Sequence, residues 1–189
     1  PTEAGAVAVF YALCFGLVSR RHNARGLYAL VLNAGVTTAS ALITLAGASL
    51  FSYVLVASGF AQAVLGFLVL ITENPAVAIL LIFLLLTVLG MFVETVSALI
   101  LVVPILMPVV AHYGFNGVQF GIFTLMSLVL GGLTPPVGIL AMVACRIAGV
   151  DYSRTFGMLL PFILWWAVAT LTVAFVPALT TWLPSLVLK

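Results

Sequence analysis

Apolar residues run along this chain in long blocks separated by short polar turns. Ala4 to Val18 is the first block, opened by Pro1-Thr2-Glu3 and closed by Ser19-Arg20-Arg21-His22-Asn23-Ala24-Arg25. A proline in the first turn with an acid close behind is helix-start chemistry. Leu27 to Ser58 is long enough for a tilted membrane span, since about 20 residues suffice. Its small residues, from Ala34, Gly35, Thr37 and Thr38 to Gly47, Ala48 and Ser49, predict close helix–helix packing. Phe60 to Ile71 is apolar but too short to cross alone, which places it as an interfacial or re-entrant helix at the outer face. The polar turn Thr72-Glu73-Asn74-Pro75 closes this scaffold-type region, residues 1–75.

Two apolar arms follow, Ala76 to Leu89 and Thr95 to Ala111, joined by Gly90-Met91-Phe92-Val93-Glu94. Neither arm comfortably spans a hydrocarbon core of about 30 Å at 1.5 Å per residue. Residues 76–112 therefore read as a re-entrant hairpin, with one continuous helix kinked at Gly90 as the rival. His112-Tyr113-Gly114-Phe115-Asn116-Gly117 is a turn with two glycines. Residues 113–148 read as a broken helix with halves Val118 to Leu130 and Ile139 to Ile147. In the last region, residues 149–189, Gly157 to Leu183 is expected as a single span, with Trp165, Trp166 and Trp182 as candidate interface anchors.

The break between the two halves is Gly131-Gly132-Leu133-Thr134-Pro135-Pro136-Val137-Gly138. Its prolines and glycines remove backbone hydrogen bonds and forbid a continuous helix. Yet no Asp, Glu, Lys or Arg occurs from Thr95 to Cys145, so the surroundings read as hydrocarbon. At membrane depth, freed backbone is tolerated only where protein buries it or where it lines a cavity. Secondary transporters use such broken helices to bind ions and anions near the midplane. The bland alternative is a proline kink repaired by neighbouring helices, although two prolines and three glycines break more than a kink needs.

Composition supports the membrane reading. The chain is 65% hydrophobic and 5% charged, with a mean hydropathy of +1.40, against roughly 25% charged residues in soluble domains. A net charge of +2, thinly scattered, points away from nucleic acid as a partner and toward the lipid bilayer. Cys14 and Cys145 lie in apolar runs and carry no disulfide or metal signature. The first apolar block begins at residue 4 with no leader before it, so the sequence reads as a piece of a larger membrane protein.

A consistent topology follows. Arg20, Arg21 and Arg25 mark the cytoplasmic side by the positive-inside rule. The span from Leu27 then exits outside, a hairpin returns the chain there, and the broken helix crosses inward to Arg146, Asp151 and Arg154. Both basic clusters then share one side. Replacing the hairpin by a full crossing would separate them.

Pro1-Thr2-Glu3-Ala4, Gly90-Met91-Phe92-Val93-Glu94-Thr95, Leu133-Thr134-Pro135-Pro136-Val137-Gly138 and Leu160-Pro161-Phe162, in this order and spacing, resemble the large membrane subunit of TRAP transporters, the DctM-like family. The likeness covers essentially the whole chain and corresponds to the C-terminal half of that subunit. It implies an all-α integral membrane fold: one inverted repeat, with its re-entrant hairpin and broken helix, of an elevator-type transporter. It further implies sodium-driven symport of small organic acids, such as C4-dicarboxylates or sugar acids, across a bacterial or archaeal inner membrane. The implied partners are a small membrane subunit and a periplasmic substrate-binding protein. No cofactor is implied beyond Na⁺ as coupling ion. The family's usual acid at the hairpin tip is Asp, where this sequence has Glu94.

Under that resemblance the candidate ion- and substrate-binding residues are Gly90, Glu94, Thr95, Gly131, Thr134, Pro135, Pro136, Val137 and Gly138, with Na⁺ expected at Gly90, Thr95, Thr134 and Pro136. Carbonyls from Thr134 to Val137 and the Thr134 hydroxyl are hard oxygen ligands. Glu94, the one acid between Glu73 and Asp151, either serves the ion, titrates, or caps the second arm through its amides. The starts of the helices at Thr95 and Ile139 offer positive ends to a carboxylate. Arg146 reads as a snorkelling interfacial residue and His112 as solvated. A membrane enzyme would need a nucleophile, paired-acid or zinc constellation that His112 and Glu94 cannot make. Another ion-coupled anion transporter of the same superfamily remains as an alternative, as does a pore built by oligomeric symmetry.

Overall fold

The computed structural model describes residues 2–18 and 24–187, and among them the chain is helical with no strand. The helices are α1 (Thr2–Val18), α2 (Ala24–Ala57), α3 (Phe60–Ile71), α4 (Pro75–Phe92), α5 (Thr95–Tyr113), α6 (Gly117–Leu133), α7 (Ile139–Ala148), α8 (Tyr152–Phe175) and α9 (Ala178–Val187). In hydrocarbon every backbone polar group must be satisfied within its own segment, and helices do this. Four described helices are long and apolar enough to cross a membrane: Arg25–Ala57, Pro75–Phe92, Thr95–Tyr113 and Thr155–Phe175. This is an all-α, multi-pass membrane protein. Arg20, Arg21 and His22, and the Arg154 side chain, lie outside the description.

Two compact units divide the chain, Pro1–Thr44 and Leu45–Lys189. Within the first, α1 and the start of α2 line an apolar groove of about 620 Å³ that includes Val9, Leu13, Leu27 and Val31. Hydroxyls along α2 are satisfied by its own carbonyls, for example Thr37 to Asn33 at 2.9 Å and Thr38 to Ala34 at 2.8 Å.

Within the second unit α6 is the central helix. It packs against α4, α5, α7, α8 and α9, while α3 lies on α5. Its core partners are Ile82 and Leu86 of α4 and Leu106 and Val109 of α5, around Phe123 and Leu128. Polar residues on so buried a helix must bond locally, and the hydroxyls of Thr124 and Ser127 each donate to a carbonyl one turn back at 2.8 Å. Aromatic rings continue the core from Tyr113 through Phe115 and Phe120, stacked, to a tilted Phe123, with centroids 5.7 to 5.8 Å apart. Tyr113 also donates to the Thr72 carbonyl at 2.6 Å, tying the end of α5 to the end of α3.

The structure differs from the sequence reading at several helix ends. The arms of the expected hairpin are 18 and 19 residues rather than shorter pieces. At 1.5 Å per residue each measures about 27 to 28 Å, long enough to span. Gly90 is inside α4, which runs to Phe92. The chain breaks at Val93 and Glu94, both extended, so no continuous helix kinked at Gly90 exists. Likewise α6 carries Gly131, Gly132 and Leu133 as helix, and the break narrows to residues 134–138.

The expected last span, Gly157 to Leu183, instead starts at Tyr152 and is broken. Asp151 supplies the start by accepting the Ser153 amide at 2.9 Å. Pro177 supplies the break, because the residue before a proline is pushed out of the helical region, and Val176 sits at φ −120, ψ 86. Pro177 also cannot donate to the Val173 carbonyl. Gln119 of α6, buried, takes over that role: its Nε2 donates to the carbonyls of Val173 at 2.9 Å and Ala174 at 2.7 Å.

Candidate ion and substrate site

The site grows from two interruptions that α4 and α6 bring side by side. The first is the α4–α5 tip. Val93 and Glu94 are extended, and Glu94 is exposed with its carboxylate turned onto its own helix. It accepts the Val96 amide at 2.9 Å and the Ser97 amide at 2.8 Å. These are two of the orphan donors of α5, so Glu94 is an N-cap.

The second interruption is the break after α6. Pro135 and Pro136 have no N–H, so the carbonyls of Gly131 and Gly132 lose their α-helical donors. Thr134 repairs part of the damage. Its amide donates to the Gly131 carbonyl at 2.9 Å, and its hydroxyl donates to the Leu130 carbonyl at 2.7 Å. With its proton committed to Leu130, the Thr134 oxygen keeps lone pairs for another partner. The Pro135–Pro136 peptide bond is cis. Gly138 then opens α7 at φ 55, ψ 51 with no side-chain cap. This left-handed conformation suits glycine.

Glycine is what allows the two interruptions to meet. A Cβ on Gly90 would run into the Leu128 carbonyl. One on Gly131 would run into the Thr87 carbonyl and lie 2.7 Å from Gly90 Cα. The helix backbones of α4 and α6 are thus in direct contact, the arrangement that small residues permit in membrane helices. One turn on, Thr95 Oγ1 lies 3.8 Å from the Cβ position of Gly132, which also faces Leu140.

Of the nine predicted residues, the structure therefore brings Gly90 to Gly131, and Thr95 to the end of α6 beside the break. Thr134 and Gly138 face each other across the break, the Thr134 carbonyl lying 3.3 Å from the Cβ position of Gly138. Pro135 and Val137 are half-buried within the loop, and Pro136 is exposed. Glu94 is at the tip, its carboxylate engaged by the Val96 and Ser97 amides. His112 and Arg146 are exposed and take no part. No group of three His, Cys, Asp or Glu residues that could hold a metal ion occurs among the described residues.

The sequence reading missed two residues. Thr87 of α4 and Tyr152 of α8 carry hydroxyl oxygens that are buried without a hydrogen-bond partner. Thr87 lies on α4 one turn before Gly90, at the crossing. Tyr152 reaches Gly138 from α8, its hydroxyl occupying the space that a side chain at Gly138 would need. Neither had a local signal, since both matter through residues distant in sequence. An apolar groove of about 720 Å³, lined by residues such as Phe60, Phe67, Leu85 and Leu101, lies on the α3–α4–α5 face and includes none of these groups.

A broken helix whose loop oxygens adjoin a helix–helix tip, inside an apolar bundle, defines the class of integral membrane transport proteins. The sequence profile of the tripartite ATP-independent periplasmic transporter DctM component matches residues 1–179. The chain belongs to that family, the large membrane subunits of TRAP transporters. It is 33% identical over its full length to the sialic acid TRAP transporter large permease protein SiaM of Vibrio cholerae, covering 44% of that protein. It is 33% identical over 95% of its length to the isethionate TRAP transporter permease protein DctMQ of Oleidesulfovibrio alaskensis, covering 28% of it. A putative dicarboxylate transporter subunit of Paracoccus pantotrophus is 34% identical over 98% of the chain and is covered to 89%. The chain thus spans less than half the length of the first two of these relatives.

Proposed function

We propose that this chain is the C-terminal half of a TRAP large permease subunit that takes up a small organic acid with Na⁺ across the inner membrane of a bacterial or archaeal cell. A periplasmic binding protein delivers the substrate, and a small membrane subunit completes the transporter. The observation that carries this reading is the apposition of the α4–α5 tip and the α6–α7 break through Gly90, Gly131, Thr95 and Gly132. α4 and α5, though each long enough to span, act as the hairpin of one inverted repeat, and the break supplies the ion's oxygen ligands.

Depth supports the assignment. α7 has 10 residues, about 15 Å at 1.5 Å per residue, which is half of a hydrocarbon core of about 30 Å. The loop at 134–138 therefore lies near the midplane if Arg146 and Asp151 mark the interface. Sodium binds there to Thr134 and the carbonyls around it, with Gly90 and Thr95 at the facing tip. The substrate carboxylate is drawn by the free amide ends of α7. An elevator movement then carries tip and loop together, because the glycine contact locks one to the other. The transported acid belongs to the organic-acid class that the relatives' names span.

The test uses the complete large subunit with its small subunit and binding protein in proteoliposomes. Uptake is expected to saturate and to need an inward sodium gradient. Thr134→Ala, and Pro135→Ala with Pro136→Ala, should weaken sodium activation more than they lower protein abundance. Normal sodium activation in both variants would remove the loop from the mechanism. Flux that neither saturates nor follows the gradient would indicate a pore.

A further inference from the structure

We propose that Tyr152 is a further ligand of the coupling ion, its hydroxyl oxygen facing the break from α8 and completing the oxygen set that Thr134 begins. The proposal rests on the reading of residues 134–138 as the sodium loop and adds a residue from outside it. Three observations lead there. The Tyr152 hydroxyl is buried and has no hydrogen-bond partner, which for an oxygen in an apolar interior costs about 1–3 kcal/mol and calls for an explanation. It lies against Gly138, whose missing side chain makes the room. The Thr134 carbonyl oxygen lies 3.3 Å from that same position.

The chemistry of the surroundings selects a cation over an anion. The Thr134 carbonyl can only accept, and the Thr134 hydroxyl has given its proton to the Leu130 carbonyl at 2.7 Å. A carboxylate placed there could take a hydrogen bond from the phenol alone and would meet only lone pairs on Thr134, whereas a small hard cation could use the phenol and both Thr134 oxygens as ligands. The phenol contributes a neutral oxygen and leaves the charge of the site unchanged. Tyr152 is also the first residue of α8, so a cation held there ties α8 to the break. Ion binding would then order the two together.

The experiment compares Tyr152→Phe with the parent in the complete subunit, keeping the ring and removing the oxygen alone. At saturating substrate, the sodium concentration for half-maximal uptake should rise roughly three- to tenfold, the loss of one such interaction at 1.4 kcal/mol per decade. The half-saturating substrate concentration at saturating sodium should stay put. Melting of the purified protein in choline chloride should be unchanged or higher, because the hydroxyl has no bond to lose and its burial without a partner is itself a cost. The added stabilisation on replacing choline by sodium should shrink, since a ligand stabilises in proportion to its affinity. A structural hydroxyl would instead lower melting equally in both salts, and that result overturns the proposal. So does an unchanged sodium requirement, or a shift in substrate affinity alone. If Thr134→Ala loses sodium activation while Tyr152→Phe keeps it, only the tyrosine assignment fails. If the parent itself needs no sodium, both readings fail.

Discussion

Placing a methyl group at Gly131 tests the contact on which the site depends. The Cβ of an alanine there would meet the Thr87 carbonyl and lie 2.7 Å from Gly90 Cα, where ordinary contact begins at 3.4 Å. Both obstacles are backbone, so no side chain can rotate away, and α4 and α6 must separate by about 0.7 Å or more. Overpacking of this kind typically costs about 1–3 kcal/mol, and two stiff helices put it at the upper end. Against that stands the helix propensity of alanine over glycine, about 0.8–1 kcal/mol. The net expectation is a loss of about 2 kcal/mol, more than a tenfold change in an unfolding equilibrium. Gly121 is the control on the same helix, since a Cβ there meets nothing within 4 Å, and Gly121→Ala should be neutral or stabilising. The assay is thermal melting of the complete subunit in a single detergent, with sodium-driven uptake measured alongside. Gly131→Ala should melt below the parent and lose uptake, while Gly121→Ala should do neither. Equal melting of the two alanine variants would refute direct backbone contact between α4 and α6.

Gln119→Met should cost about 1–3 kcal/mol, because it strips the donor from the Val173 and Ala174 carbonyls in an apolar setting; the check is a lower melting temperature, with sodium activation unchanged in the protein that remains. Glu94→Asn keeps an N-cap acceptor and removes the charge, so retained uptake would assign Glu94 to capping alone, whereas Glu94→Ala should lower stability by about 0.5–2 kcal/mol. If Glu94→Asn abolishes uptake at normal abundance, the charge itself is needed. Asp151, at the exposed start of α8, is held below its ordinary value of 3.8 by hydrogen bonds from the Ser153 hydroxyl and amide. A depressed native value means that the carboxylate contributes stability above pH 3.8 and loses it as the pH falls through the native value. The stability gap between the parent and Asp151→Ala should therefore be present at neutral pH and close in acid, which melting across a pH series reads directly.

Helix order was legible because apolar block length and turn chemistry are local. Phe60 to Ile71 is a helix with those bounds, and Asn74, Glu94, Asn116 and Asp151 each cap the helix that follows them. Pro177 carried a readable signal too, and its effect on Val176 splits what hydropathy alone merges into one span. Other ends were set by tertiary contact and had no local mark. Gly90 and Gly131 look like breakers in a sequence, yet both are helical, since the contact between α4 and α6 needs glycine in both helices. Tyr152 was hidden for a similar reason: it matters through Gly138, on the far side of α7, while its own neighbours read as an interfacial turn.

The glycine contact and the proline loop place opposite demands on α6, and the join between them falls at Thr134. At Gly131 the helix is held against α4 with no space for a side chain, which fixes its end. Beyond it, two prolines withhold the donors that would have satisfied Gly131 and Gly132. Left alone, such an end would fray or draw water. Thr134 stops the fraying by closing the Gly131 and Leu130 carbonyls with its amide and its hydroxyl. The Gly132 carbonyl is left without its α-helical donor, just before the Thr134 carbonyl that faces Gly138. Under the proposed function, a helix end fixed in this way would hold its oxygen ligands in place before the ion arrives. In the proposed elevator movement the tip and the loop would travel as one piece, since separating them means separating α4 from α6.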